Sequence, residues 1–223
     1  MPKTYFRQIP DLDYINRTDD GRNISDYTKV KNIFKKGSLR KDIFQDTTFF
    51  EKYQVKGDDR PDNVANDFYG SSNLDWIVLS SNNILNVQSE WPMTQQSLDE
   101  YLLDKYETYE KLNGVHHYES VEIKNSDGVV IFPAGKEVDE DQSVSFFDFN
   151  SGSQTVVSNI TKPITNLQFE TKLNEDKRNI FLLKGIYLGV VFDDLEEMMT
   201  YKEGSTQFVS ESLKRADNIR LYQ

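Results

Sequence analysis

The chain has 223 residues, a net charge of −11 and no cysteine. That length buries a real core, as one large domain or two or three small ones. The missing thiols exclude a disulfide framework and thiol chemistry, in keeping with assembly in a reducing cytosol. A mean hydropathy of −0.66 leaves much polar surface, while 13% aromatic residues argue against disorder. No apolar run approaches the roughly 18 residues of a membrane span, and residues 1–7 lack the apolar centre of a signal peptide, so neither a membrane nor export by a leader is expected.

Charge is uneven. Residues 1–50 carry ten Lys and Arg against seven Asp and Glu, and residues 51–150 carry seven against twenty. An acidic middle repels nucleic-acid phosphates, so no nucleic-acid partner is expected. It is either a solvated face or a charge-complementary docking face for another subunit.

Residues 1–24 have no periodicity and are expected to order against a partner or across the body of the fold. Ser25 caps a predicted helix over residues 26–36, with Tyr27, Val30, Ile33 and Phe34 on one side and Lys35-Lys36-Gly37 closing it. Residues 39–50 read as strand or extended chain. Tyr53 and Val55 alternate with polar neighbours as in a half-buried strand. Pro61 suits a first helical turn, Val64, Ala65 and Phe68 share a face, and Gly70 supplies a left-handed stop. Ser72 is the expected cap of a second helix with Leu74, Ile77 and Val78 on its face, ended by Asn82-Asn83.

Thr94 caps a predicted helix over residues 95–112, whose tyrosine-rich stripe reads as core, with Gly114 after it. The period then changes to two. Residues 118–123 and 129–132 flank a hairpin turn at Asn125-Ser126-Asp127-Gly128, and residues 144–149 and 155–160 flank Asn150-Ser151-Gly152-Ser153. Residues 164–172 and 179–183 add two strands, and residues 186–200 a helix. Residues 203–223 are polar and expected to dock only in a complex. The fold class is α+β: an α-rich N-terminal half with a βαα unit, and a β-rich C-terminal half ending in a helix and polar tail. The expected domains are residues 1–50 (arm and helix), 51–114 (βαα module and long helix) and 115–223 (β-rich domain).

No catalytic, metal or cofactor constellation emerges. His116 and His117 are adjacent, so on a strand they face opposite ways. Asp58, Asp59 and Asp62 beside Glu51 read as helix-dipole complements. Asp139-Glu140-Asp141 lacks the spacing of an EF-hand, and no P-loop, dinucleotide fingerprint or nucleophile elbow occurs.

Asp59, Arg60, Asp62, Val64, Ala65, Tyr69, Gly70, Leu74, Trp76, Asn82 and Asn83 follow one another in an order that resembles the LysM module of contractile-tail proteins. Asp58 and Ser71 depart from its pattern, and the closing strand is missing from its place. Residues 130–135 offer one about forty residues late, so either an insertion splits the module or that match is accidental. The resemblance implies binding residues at Asp59, Arg60, Asp62, Tyr69, Gly70, Trp76, Asn82 and Asn83. With Tyr5-Phe6-Arg7-Gln8-Ile9-Pro10, Tyr14-Ile15-Asn16-Arg17, residues 85–92 and residues 173–180, the chain also resembles the baseplate wedge protein 53 family of T4-like bacteriophages. That resemblance implies a non-enzymatic subunit joining neighbouring wedges into a ring around the hub, with other wedge subunits as partners. It implies the virion tail as location. Tyr5, Phe6 and Trp91 are the candidate interface anchors, with Trp91 expected in a polar loop and not wholly buried. The alternative is a module binding N-acetylglucosamine polymers such as peptidoglycan.

Overall fold

The chain leaves its first folded unit after Trp91 and returns to it at Asn179, and residues 92–178 form a second unit. The computed structural model describes residues 4–15, 27–204 and 207–215. It is α+β.

The first unit begins with α1 (Tyr5–Gln8) and β1 (Asp11–Ile15). β2 (Tyr27–Lys31) runs antiparallel to β1, with Asp11 opposite Lys31 and Asp13 opposite Lys29. This corrects the helix expected over residues 26–36, whose cap residues Ser25 and Asp26 lie outside the described residues. Tyr27, Thr28 and Val30 suit a strand as well as a helical stripe. Opposite charges across the pair, with Lys31 Nζ 2.8 Å from Asp11 Oδ1, favour the strand. Ile33 and Phe34, the rest of the expected stripe, are 73% and 82% exposed. α2 (Lys41–Gln45) and a 3-10 turn at Thr47–Phe49 replace the strand or extended chain read there.

β3 (Phe50–Gln54), α3 (Pro61–Tyr69) and α4 (Asp75–Ser81) follow. Pro61 occupies the first helical position, and Gly70 ends α3 at φ 74°, a conformation that costs glycine nothing. Ser72 begins a 3-10 turn, Ser72–Leu74, and does not cap α4. Instead the Asp75 carboxylate accepts from Trp76 N at 2.8 Å. Leu74, Ile77 and Val78 make the buried face as expected. α5 (Val87–Glu90) then leads to Trp91.

In the second unit α6 (Gln95–Tyr106) is capped by Thr94, which accepts from Ser97 N. The expected helix over residues 95–112 breaks, because Glu107 adopts φ 62° and Thr108 caps a fresh turn, α7 (Tyr109–Leu112). The core here is Leu98, Leu102 and Leu112. Of the tyrosines in the stripe, Tyr106 packs against this core, while Tyr101 and Tyr109 are 39% and 68% exposed.

β4 (Val115–Ser120) leads into a hairpin of β5 (Ile123–Lys124) and β6 (Val130–Phe132) around the expected Asn125-Gly128 turn. After β7 (Glu137–Val138) comes the second expected hairpin, β8 (Val144–Asp148) with β9 (Ser153–Val157). β10 (Thr161–Thr165) joins β4 and β7 in a three-stranded sheet.

Residues 164–172 are not the strand expected. Thr165 ends β10 and caps α8 (Asn166–Asp176), and Gln168 returns a bond to Thr165 N in a capping box. α8 buries Glu170, whose Oε1 accepts from Lys105 Nζ at 2.6 Å and Tyr106 Oη at 3.0 Å. It also buries Asn174, whose amide takes both main-chain groups of Met93: Met93 N donates to Oδ1 at 2.8 Å, and Nδ2 donates to Met93 O at 3.1 Å.

β11 (Asn179–Leu183) re-enters the first unit as an expected strand and pairs antiparallel with β3, Phe181 opposite Lys52. The expected helix over residues 186–200 is α9 (Leu188–Met199), preceded by a 3-10 turn. β12 (Phe208–Ser210) and β13 (Leu213–Arg215) complete a four-stranded sheet in the order β12-β13-β1-β2, with β13 parallel to β1. Residues 208–215 of the segment expected to dock only in a complex are therefore part of the fold. So are residues 4–15, with Ile9 buried against Leu195 and Met199.

Candidate binding module

β3, α3, α4 and β11 form a βααβ unit with one antiparallel strand pair. The strand that closes it is β11. Residues 130–135, offered as the closing strand, contain β6, which pairs with β5 in the second unit, so that match is accidental. Val64, Ala65, Ile77, Val78, Leu182 and Leu183 form the sealed interior between the helices and the strand pair. Burying a side chain of this size contributes about 1.5–3 kcal/mol.

Most of the residues singled out from sequence serve this interior. Tyr69 donates its hydroxyl to Leu183 O at 2.8 Å, tying the end of α3 to the end of β11. Asn82 ends α4 and clamps the free edge of β11: Phe181 N donates to Asn82 Oδ1 at 2.8 Å, and Asn82 Nδ2 donates to Phe181 O at 2.8 Å. Its amide also reaches Val78 O, one turn back. Asn83 takes φ 53° and turns the chain out of the helix. The Trp76 ring packs between Tyr5, 5.6 Å away, and Phe192, 6.4 Å away.

Trp91 is the plainest departure from expectation. It is 6% exposed, and its indole Nε1 donates to Asp59 O at 2.9 Å. The Asp59 main chain closes the loop before α3 and gives the indole its acceptor, so a ring expected at the surface belongs to the core. Arg60 and Asp62 remain outside, paired with each other at 3.3 Å. Tyr5 accepts from Gly37 N at 2.9 Å, while Phe6, beside it, stays 75% exposed. The chain passes close at Gly37, where a Cβ would meet the tip of the Leu195 side chain and force it to shift.

The partner of Asn82 lies 99 residues further on, and no local signal could have named it. Among the described residues no group of three or more His, Cys, Asp or Glu could hold a metal, and no helix is long and apolar enough to cross a membrane.

Chain order, the βααβ unit and an interior tied by motif residues together frame the likeness to known proteins. A family model described as base plate wedge protein 53 matches residues 5–184, a stretch that takes in both strands of the module and the whole second unit. The chain belongs to that family. It is therefore a structural protein of the phage baseplate wedge, located in the virion tail among other baseplate proteins. Membership in this family stands against an enzymatic role. A search of curated proteins gives no match.

Burial pushes the Tyr69 phenol up from its ordinary pKa of 10.0. The folded baseplate protein thus holds this proton to higher pH than the unfolded chain does. The stabilisation is complete below about pH 10 and is lost as pH rises beyond it. Urea unfolding at about pH 8 and about pH 11 is expected to show a fall in stability that Tyr69→Phe makes shallower. At the lower pH the same substitution costs about 1 kcal/mol for the lost hydrogen bond. An unchanged pH slope in Tyr69→Phe would count against this coupling.

Proposed function

We propose that this chain joins adjacent baseplate wedges into a ring around the central hub of a contractile tail, during tail assembly in the host cytoplasm. Family membership over residues 5–184 carries the reading. Large exposed apolar side chains on both units support it. Phe6, Phe34, Leu85 and Ile186 in the first and Phe149 in the second are each at least 73% exposed, and aromatic anchors dominate interface energetics. The mechanism is static bridging: several patches on one chain raise the effective concentration for each later contact, so a small subunit can lock a large assembly. The test is co-purification of the full chain with wedge components. Wild type is expected to be retained, and Phe6→Asp with Phe149→Asp to be depleted at equal stability. Equal retention of that pair of substitutions would remove these side chains from the interface.

We propose also that the βααβ unit is a LysM-type module split by the second unit and used as a scaffold. The internal use of Tyr69, Gly70, Trp76 and Asn82 supports a scaffold over a glycan site. Isothermal titration with chitin oligomers is expected to give no saturable heat; saturable heat would favour the glycan-binding reading.

A further inference from the structure

The last turn of α9 and the chain around residues 35–41 of the first unit border an open cavity of about 680 Å³. Five cationic side chains line it, Lys35, Arg40, Lys41, Lys202 and Lys214, against two carboxylates, Asp194 and Glu197. That excess of positive charge sits on a chain whose net charge is −11. Arg40 is already engaged, with Asp42 at 2.7 Å and Asp194 at 3.4 Å. Lys35 donates to Met198 O and Thr200 O, both at 2.8 Å, so it satisfies carbonyls left open at the C-terminal end of α9. Lys35 and Lys214 both approach the Tyr201 ring, at 5.1 and 5.0 Å from its centre.

Among the described residues, Lys41, Lys202 and Lys214 have no carboxylate within ion-pair distance. Crowding is felt inside the cluster: burial first, then repulsion from Lys214 and Lys202, holds the Lys35 ammonium below the usual lysine range. Five cations against two carboxylates leave a local excess of positive charge, which favours an anionic partner.

We propose that this cavity is the docking site for an acidic peptide segment of a partner baseplate protein, an extended stretch with at least two Asp or Glu side chains. The inference rests on the reading of the chain as an assembly subunit. Lining chemistry selects a peptide over a compact phosphate. Leu39, Met198 and Tyr201 supply an apolar floor for a side chain between the carboxylates, and Asp194 and Glu197 repel a dense point of negative charge. A long nucleic acid is disfavoured by the acidic remainder of the molecule. Exposed lysines of this kind contribute register and encounter rate more than bulk affinity.

The test uses the full chain and a fluorescein-labelled hexapeptide, Glu-Asp-Leu-Glu-Asp-Glu, read by anisotropy. Saturable binding is expected at about 50 mM salt, weakening by about 300 mM salt as screening shortens. Lys202→Glu with Lys214→Glu is expected to weaken binding at least about tenfold without lowering the melting temperature. Lys162→Glu, in the second unit, is expected to leave binding unchanged. No saturable binding, equal affinity in the double variant, or full displacement by inorganic phosphate at matched charge would each overturn the proposal. Co-purification with wedge components is read in parallel. Failure of the wild type to co-purify counts against the assembly reading. Full co-purification of the double variant counts against the cavity alone.

Discussion

Replacing Trp91 by alanine is expected to destabilise the first unit by about 3–5 kcal/mol, the range for a buried indole whose cavity cannot fully collapse. The ring is 6% exposed and packed in the same interior as Val64, Ile77 and Leu182, so its removal takes both apolar burial and packing contacts. Asp59 O would also lose its donor. Trp91→Phe separates the two effects, since it keeps most of the apolar area and loses only the hydrogen bond, at about 1 kcal/mol. Hydrogen exchange followed by mass spectrometry is the suitable readout. The expected result is lost protection in α3, α4 and β11 with little change over residues 95–176. Protection unchanged in Trp91→Ala would show that the indole does not hold the module.

A second large effect is expected at Asn174. Asn174 is 4% exposed and its amide reads both main-chain groups of Met93, so Asn174→Ala loses two part-buried hydrogen bonds and leaves a donor and an acceptor without their partner. The expected cost is about 2–4 kcal/mol, set mainly by the penalty for stranded polar groups. Asn82 makes the same kind of clamp on Phe181, but there the bonds are exposed and water can replace them. Asn82→Ala is therefore expected to cost less, about 1–2 kcal/mol. Denaturant unfolding of the two variants, with exchange protection read separately in each unit, orders the costs. A larger loss in Asn82→Ala would contradict the ranking of the two clamps by burial.

Local features of this chain are legible in its sequence and distant pairings are not. Pro61 at a first helical turn, Gly70 in the left-handed region, Thr94 as a cap and the Asn125-Gly128 turn each depend on a few neighbouring residues, and each is found where its chemistry places it. β2 reads as a helix because Tyr27, Val30, Ile33 and Phe34 fit a helical period. Its register against Asp11 and Asp13 depends on a strand that no local pattern reveals. The start of α8 does carry a local signal: Thr165 and Gln168 are the two halves of a capping box, hidden by an apolar alternation through Ile164. The break at Glu107 carries no Gly or Pro to announce it.

The candidate site follows the same division. Sequence order picks out Tyr69, Gly70, Trp76 and Asn82, but the hydrogen bonds of Tyr69 and Asn82 depend on β11, which arrives only after the second unit. Trp91 is misplaced for a related reason, since its acceptor is a main-chain oxygen 32 residues earlier. The cationic cavity gathers residues from 35 to 214, and no stretch of sequence contains it.

The most direct measurement is assembly from purified wedges with and without this chain, followed by electron microscopy and sedimentation. Wedges supplied with the wild-type chain are expected to close into rings around the hub, and wedges lacking it to remain separate. Rings that close equally well in its absence would contradict a bridging role.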